Sequence, residues 1–226
     1  MHDLRSRLAA PLALAALATG LCGCPNPNSY GTPRTVAPGE LSHSVAVEGF
    51  GYTNEGDGGF LPTLPSYQLR IGATDFMDVG VQVRNLTSLG VDVKLNPVRG
   101  VFDLAVDPGA QYFFVTSGDA TVHVAYLHAP LMLGLNPSDW FSVVLTPGFT
   151  YGIIGGSFDN GSESASQTVD GAILRGGLGL NFRISDGFAI HPEGTVMKML
   201  EGDGLVYNVG IGFNFGALPS FADLAD

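Results

Sequence analysis

The sequence predicts an all-β chain closed into an antiparallel up-and-down barrel of about ten transmembrane strands, with eight or twelve also compatible. Three observations carry this. First, residues from Tyr67 to Leu95 alternate strictly: Tyr67, Leu69, Ile71 and Ala73 stand against Gln68, Arg70 and Gly72. The pattern restarts as Val79, Val81 and Val83 against Gly80, Gln82 and Arg84, then as Leu89, Val91, Val93 and Leu95 against Gly90, Asp92 and Lys94. A period of two makes strands with one apolar and one polar face. Second, mean hydropathy is +0.25, yet past the N-terminal segment no run reaches the ~18 apolar residues of a membrane helix. An alternating barrel is the other way to cross a bilayer. Third, the connections between strands alternate long and short, as a membrane barrel requires.

The elements follow in order. Strand one lies within 41–52, where Val45 and Val47 differ in parity from Phe50 and Tyr52, so a bulge is expected near Glu48-Gly49. A Gly- and Pro-bearing loop, 53–65, leads to the three strands of the opening pattern, which turn at 75–77 and 85–88. After the turn 96–100, strand five sets Phe102, Leu104, Val106, Ala110, Tyr112 and Phe114 against Asp103, Asp107 and Gln111. Strand six, 121–135, places Val122, Val124 and Tyr126 outward and then Leu127, Leu131 and Leu133, which predicts a bulge near Tyr126. Strand seven carries Phe141, Val143, Leu145, Phe149 and Tyr151 outward, and 154–167 reads as a long polar loop. Strand eight sets Leu174, Leu178, Leu180 and Phe182 against Arg175, Gly177, Gly179, Asn181 and Arg183, and turns at Ser185-Asp186-Gly187. Strand nine begins at Phe188. Strand ten sets Leu205, Tyr207, Val209, Ile211, Phe213 and Phe215 against Asn208, Gly210, Gly212 and Asn214. Pro108, Pro130, Pro147 and Pro192 fall inside these strands, where a missing N–H interrupts a ladder.

Alternation alone does not say which face is inside, and a soluble lipocalin-like binding barrel would turn the apolar set inward. The glycines of the polar set suit a narrow lumen better than a hydrated exterior. Aromatics gather at strand ends (Tyr67, Phe141, Tyr151, Phe182, Phe188, Phe215), as in interfacial girdles, and the apolar set is almost free of charge. Lipid outside is therefore the expectation. The lumen then receives Gln68, Arg70, Gln82, Arg84, Asp92, Lys94, Asp103, Asp107, Gln111, His123, Arg175, Asn181, Arg183, His191, Glu193, Asn208 and Asn214. Both signs are present, so mutual pairing that plugs the bore is expected before an aqueous channel.

Arg5 and Arg7 precede an apolar run, 8–21, which is the plan of an export signal. Leu21-Cys22-Gly23-Cys24 resembles the bacterial lipobox, with Cys22 standing where a small residue is usual. That resemblance implies a signal peptide of residues 1–23 and a mature first residue, Cys24, that carries acyl chains (palmitate among them). Cleavage after Ala16-Leu17-Ala18 by ordinary signal peptidase is the competing reading. Residues 24–39, with four prolines from Pro25 onward, read as a lipidated, extended tether to the barrel at 40–216, and 217–226 as an acidic tail.

The formal charge is −11, and −12 once Asp3, Arg5 and Arg7 leave with the signal, which argues against a nucleic-acid partner. Catalysis has the right residue types in His123, His128, His191, Asp103, Glu193 and Ser142 for a Ser-His-carboxylate device. Their spacing is unspecific, and neither G-x-S-x-G, HExxH nor a P-loop occurs. No cofactor is implied. Asn54-Glu55-Gly56-Asp57 and Asp159-Asn160 lack EF-hand spacing, so no metal ligand is assigned.

The phrase from Arg70 through Gly72, Asp75-Phe76-Met77 and Asp78 to Gly80 resembles the strand–turn–strand unit of outer-membrane β-barrels of diderm bacteria, and the likeness covers 40–216. It implies a monomer in the outer membrane with both termini periplasmic. Its partners would be membrane lipid, lipopolysaccharide and the barrel-assembly and lipoprotein-sorting machineries. The expected role is structural or that of a small unselective pore, not an enzyme; the alternative is an acyl hydrolase or transferase acting on membrane lipid.

Overall fold

In the computed structural model, residues 27–54, 57–117, 120–159, 164–200 and 204–224 are described. The segment expected to be a signal peptide, 1–23, and Cys24 lie outside them. Strands are β1 Leu41–Asn54, β2 Asp57–Pro62, β3 Ser66–Thr74, β4 Met77–Arg84, β5 Ser88–Val98, β6 Phe102–Val106 and β7 Gly109–Ser117. They continue as β8 Ala120–Ser138, β9 Phe141–Leu145, β10 Gly148–Asp159, β11 Ser164–Ser185, β12 Phe188–Met199 and β13 Leu205–Gly216. Three of the breaks fall at prolines: β2/β3, β6/β7 and β9/β10 are single staves interrupted at Pro65, Pro108 and Pro147. The wall therefore has ten staves, all antiparallel, and β13 closes on β1 from Ser42↔Gly216 to Thr53↔Leu205. Closure leaves no free edge.

The stagger can be followed around the wall. From Ser42 the register passes through Arg70, Gly80, Asp92, Gly109, His128, Thr150, Ile173 and Met199. The circuit returns one residue past the Lys198–Leu205–Thr53 row, twelve residues above its start. Ten staves with that shear tilt at roughly 40°. β11, at 22 residues, then rises on the order of 55 Å, about twice the apolar band of an outer membrane. The β10–β11 hairpin thus stands clear of the bilayer region. Residues 154–159 and 164–167, expected as loop, are paired strand, and so is β2 within the expected loop 53–65.

Apolar side chains face out. Val45, Val47, Ile71, Val81, Val91, Leu127, Leu174, Leu178, Val209 and Ile211 are all exposed, while Arg70, Asp78, Asp92, Lys94, His191 and Glu193 are buried. A soluble barrel needs the reverse. Aromatic belts mark both rims. Near the short turns Phe141 packs on Trp140 and Phe182 (centroids 5.7 and 5.1 Å) and Phe188 on Phe215 (5.3 Å). At the other rim Tyr112, Phe114 and His123 cluster, and Phe60 stacks on Tyr207.

Both expected bulges are absent. β1 runs against β13 without a register shift, so Glu48 and Phe50 point inward and are buried. In β8 the parity never changes, and Val124 and Tyr126 face the lumen, where they pack with Phe113. The lumen is apolar at that level, which breaks the polar-inside rule used to assign them. Pro130 and Pro192 sit within β8 and β12, and the Pro108, Pro130 and Pro147 carbonyls accept from Val93, Asp107 and Leu131 at 2.8–3.1 Å, keeping the wall sealed.

The tether is a plug. Residues 27 to 36 run inside the barrel, and Asn28, Tyr30, Thr32, Arg34, Thr35 and Val36 are buried. The segment descends from the level of Arg84 and Asn208 to a parallel bridge, Pro38↔Gly72, beside the start of β1. Three inward glycines make room for it. A Cβ on Gly212 would lie 2.6 Å from Cβ of Tyr30, one on Gly210 would strike the Tyr30 hydroxyl, and one on Gly72 would strike the Ala37 carbonyl.

Candidate functional site: the occupied lumen

The period-two pairing of the wall delivers charged side chains to the bore at each level. Within the bore, Arg70 lies 2.7 Å from Asp78, 2.6 Å from Asp92 and 3.2 Å from Asp107. Lys94 stands 3.4 Å from Asp78. A guanidinium shared by three carboxylates satisfies its fork while dividing one charge among them, and Lys94 supplies the second cation. Gln82 donates to Asp92 at 2.9 Å. Gln68, with its amide turned to satisfy both neighbours, accepts from Arg70 at 2.9 Å and donates to the Ser29 carbonyl at 3.3 Å.

The remaining wall side chains engage the plug, largely through its main chain. Arg175 donates to the Pro27 carbonyl, Arg84 to that of Asn28 (2.9 Å), Asn214 to that of Tyr30 (3.0 Å) and Lys94 to that of Thr32 (3.1 Å). Glu193 accepts the N–H groups of Ser29 (3.0 Å) and Tyr30 (2.6 Å), and Asp78 accepts that of Val36 (3.1 Å). Two side chains add anchors. The Tyr30 hydroxyl donates to Glu48 at 2.8 Å, and Asn28 donates to Asn208 at 3.0 Å beside it. Arg34 pairs with Asp103 at 2.8 Å and donates to the Gly100 carbonyl at 3.0 Å.

Below Arg34 the C-terminal segment folds back under the bore. Arg34 also binds Asp223 and the Ser220 carbonyl, and its guanidinium lies 4.2 Å from the Phe221 ring centre. Arg183 stacks on the same ring at 3.4 Å and holds the Ser138 carbonyl at 2.8 Å. Phe221 is buried, so 217–224, read as an acidic tail, caps the mouth. The hydrogen bond from Arg34 holds the Asp223 carboxyl below the ordinary carboxylate range. A cleft of about 580 Å³ lies beside Ser29, Tyr30, Asn214 and Phe221.

Sixteen of the seventeen lumen candidates lie in the bore or at its mouth, Arg183 being the one at the mouth. His123 does not. It is exposed on the outer wall, hydrogen-bonded to Tyr112 at 2.6 Å within the upper belt, because β8 keeps one parity throughout. Sequence reasoning missed Tyr30, Arg34, Glu48 and Asp78. Extending the β4 parity by one residue finds Asp78; a tyrosine and an arginine in a proline-rich stretch were the only signs of the other plug anchors. His191 is fully buried, 3.2 Å from Asn181 and 3.5 Å from Glu193, whereas Ser142 is held by Asn136 and Arg183 and meets no histidine. Among the described residues, Ser142 and His191 are thus not brought together as a Ser-His pair. Among the described residues no group of three or more His, Cys, Asp or Glu could hold a metal ion.

Protein-family models give no match, and neither do curated proteins. Solved structures do. The outer-membrane protease OmpT of Escherichia coli matches with a TM-score of 0.50 at 6% identity, over 80% of this chain and 98% of that one. The fold is that of an outer-membrane β-barrel. Ail of Yersinia pestis (TM-score 0.40, 16% identity, 79% and 99% covered) and the translocator domain of the autotransporter NalP of Neisseria meningitidis (0.45, 11%, 95% and 95%) are also similar. At such identities the likeness is one of architecture.

Proposed function

We propose that the protein is a bacterial outer-membrane barrel held shut by its own residues 27–36, with a structural rather than conducting or catalytic role. The observation that carries this reading is the engagement of the plug's main chain by wall side chains from opposite sides of the bore. A ten-stave bore is narrow, and an extended chain inside it takes up the space that a water path would need. The long hairpins at one rim and the short turns at the other support an orientation in which Leu41 and Gly216 face the periplasm. The Arg-flanked apolar N-terminus and Leu21-Cys22-Gly23-Cys24 support export and acylation at Cys24. Membrane lipid and lipopolysaccharide, and the assembly and sorting machineries, are the partners this reading entails.

Planar-bilayer recording tests it. The full chain is silent, and deletion of 28–36 produces steady openings; a full chain that conducts steadily refutes the closed barrel. Replacing Cys24 by Ser abolishes palmitate labelling, and labelling that persists removes the lipid anchor from the reading.

A further inference from the structure

We propose that the lumen is a binding site for an extended polypeptide, recognised mainly through its main chain, and that residues 27–36 are its resident ligand rather than an integral part of the wall. This rests on the closed-barrel reading and adds the chemistry of what closes it.

The division of labour in the bore supports it. Cationic and amide side chains face plug carbonyls: Arg175 on Pro27, Arg84 on Asn28, Asn214 on Tyr30 and Lys94 on Thr32. Carboxylates face plug N–H groups: Glu193 on Ser29 and Tyr30, Asp78 on Val36. Donors and acceptors of the peptide backbone are thus sorted onto opposite charges of the wall. Among the described residues Arg84 and Arg175 have no carboxylate at ion-pair distance, and the Nε of Arg175 is buried without a partner. Buried guanidiniums without carboxylates are costly unless polar groups meet them. The plug carbonyls do so, and emptying the bore would leave Arg175 unmet, Arg84 with Gln82 alone and Glu193 without its two backbone donors. The wall is therefore built around a guest.

Two features make the guest separable. Beyond the Pro38↔Gly72 bridge it joins β1 only through 37–40, which are exposed, with Gly39 at φ +79° forming the corner. And the glycines Gly210, Gly212 and Gly72 shape the wall to a ligand's outline instead of filling it from their own side chains. Such a site also admits a free peptide of the same sequence.

The test uses the full chain with a protease recognition sequence inserted between Gly39 and Glu40, folded in detergent and then cut. The severed N-terminal piece stays bound through gel filtration, and a fluorescent peptide of residues 27–38 exchanges into its place. Unlabelled peptide competes. A peptide N-methylated at Ser29 and Tyr30, which cannot donate to Glu193, competes about 100-fold less well or worse, since two charge-assisted hydrogen bonds are lost. Immediate loss of the severed piece, with no uptake of labelled peptide, overturns the proposal, as does equal competition by the N-methylated peptide. A barrel that is silent before cutting and fails these assays keeps the closed-barrel reading and loses only the peptide site.

Discussion

Glu193→Gln changes little in volume and removes the charge that faces Ser29 and Tyr30. The wild-type carboxylate is 4% exposed and accepts both N–H groups, at 3.0 and 2.6 Å. Hydrogen bonds to a charged group contribute about 1.5–3 kcal/mol each, and the amide leaves at least one donor facing an NH₂. The plug is then less firmly held by about 2–4 kcal/mol, which raises the population of its released state roughly 30- to 1,000-fold. Native-state amide exchange reads this directly. Segment 27–36 exchanges faster by that factor, while the β1 amides paired with β13 do not change. A change below about threefold in the segment, or an equal change in β1, refutes the assignment of Glu193 as the plug's main-chain acceptor.

Gly212→Val drives Tyr30 from its seat, because the new Cβ lies 2.6 Å from that of Tyr30; amide protection of 27–36 falls while the heat-modifiable gel migration of the folded barrel is kept. The C-terminal cap depends on acid. With the Asp223 carboxyl lowered by Arg34, its contribution is complete above the ordinary carboxylate value of about 3.9 and is lost as the pH falls through the lower folded value. Cleavage at Phe221 by an acid protease therefore starts only below the ordinary range in the wild type, and at higher pH in Asp223→Asn. Arg183→Ala removes the nearer of the two guanidiniums on the Phe221 ring and exposes the same bond at every pH.

The wall was legible because lipid imposes a rule with few exceptions. Every strand residue that the alternation placed between Tyr67 and Leu95 stands on the face its parity gave it, and the stave count follows from turn chemistry. The misreadings share one cause: the bore does not present a uniform surface. Phe50, Val124 and Tyr126 point inward, the last two packing with Phe113 at a level where the lumen is apolar, so rules that sent these three outward produced two false bulges and moved His123 to the wrong face. The plug was missed for a different reason. A stretch rich in Pro, Asn, Ser and Gly cannot build its own core, and in water it is a linker. Inside a bore lined with arginines and carboxylates the same polar backbone is an ideal partner, and composition carries no record of that environment. The paired extensions beyond the membrane, β2 and the outer parts of β10 and β11, read as loops because their glycines and serines need not alternate where both faces meet water.

The position of the plug's seat has a bearing on biogenesis. Gly210 and Gly212, which receive Tyr30, and Asn208 and Asn214, which bind the segment, all belong to β13, the stave that zips to β1. Until that seam shuts, the guest lacks one wall of its chamber; once it has shut, all its contacts are in place. Sealing the cylinder and loading its cargo are thus a single late event, so lesions in β13 should stall maturation and empty the bore together.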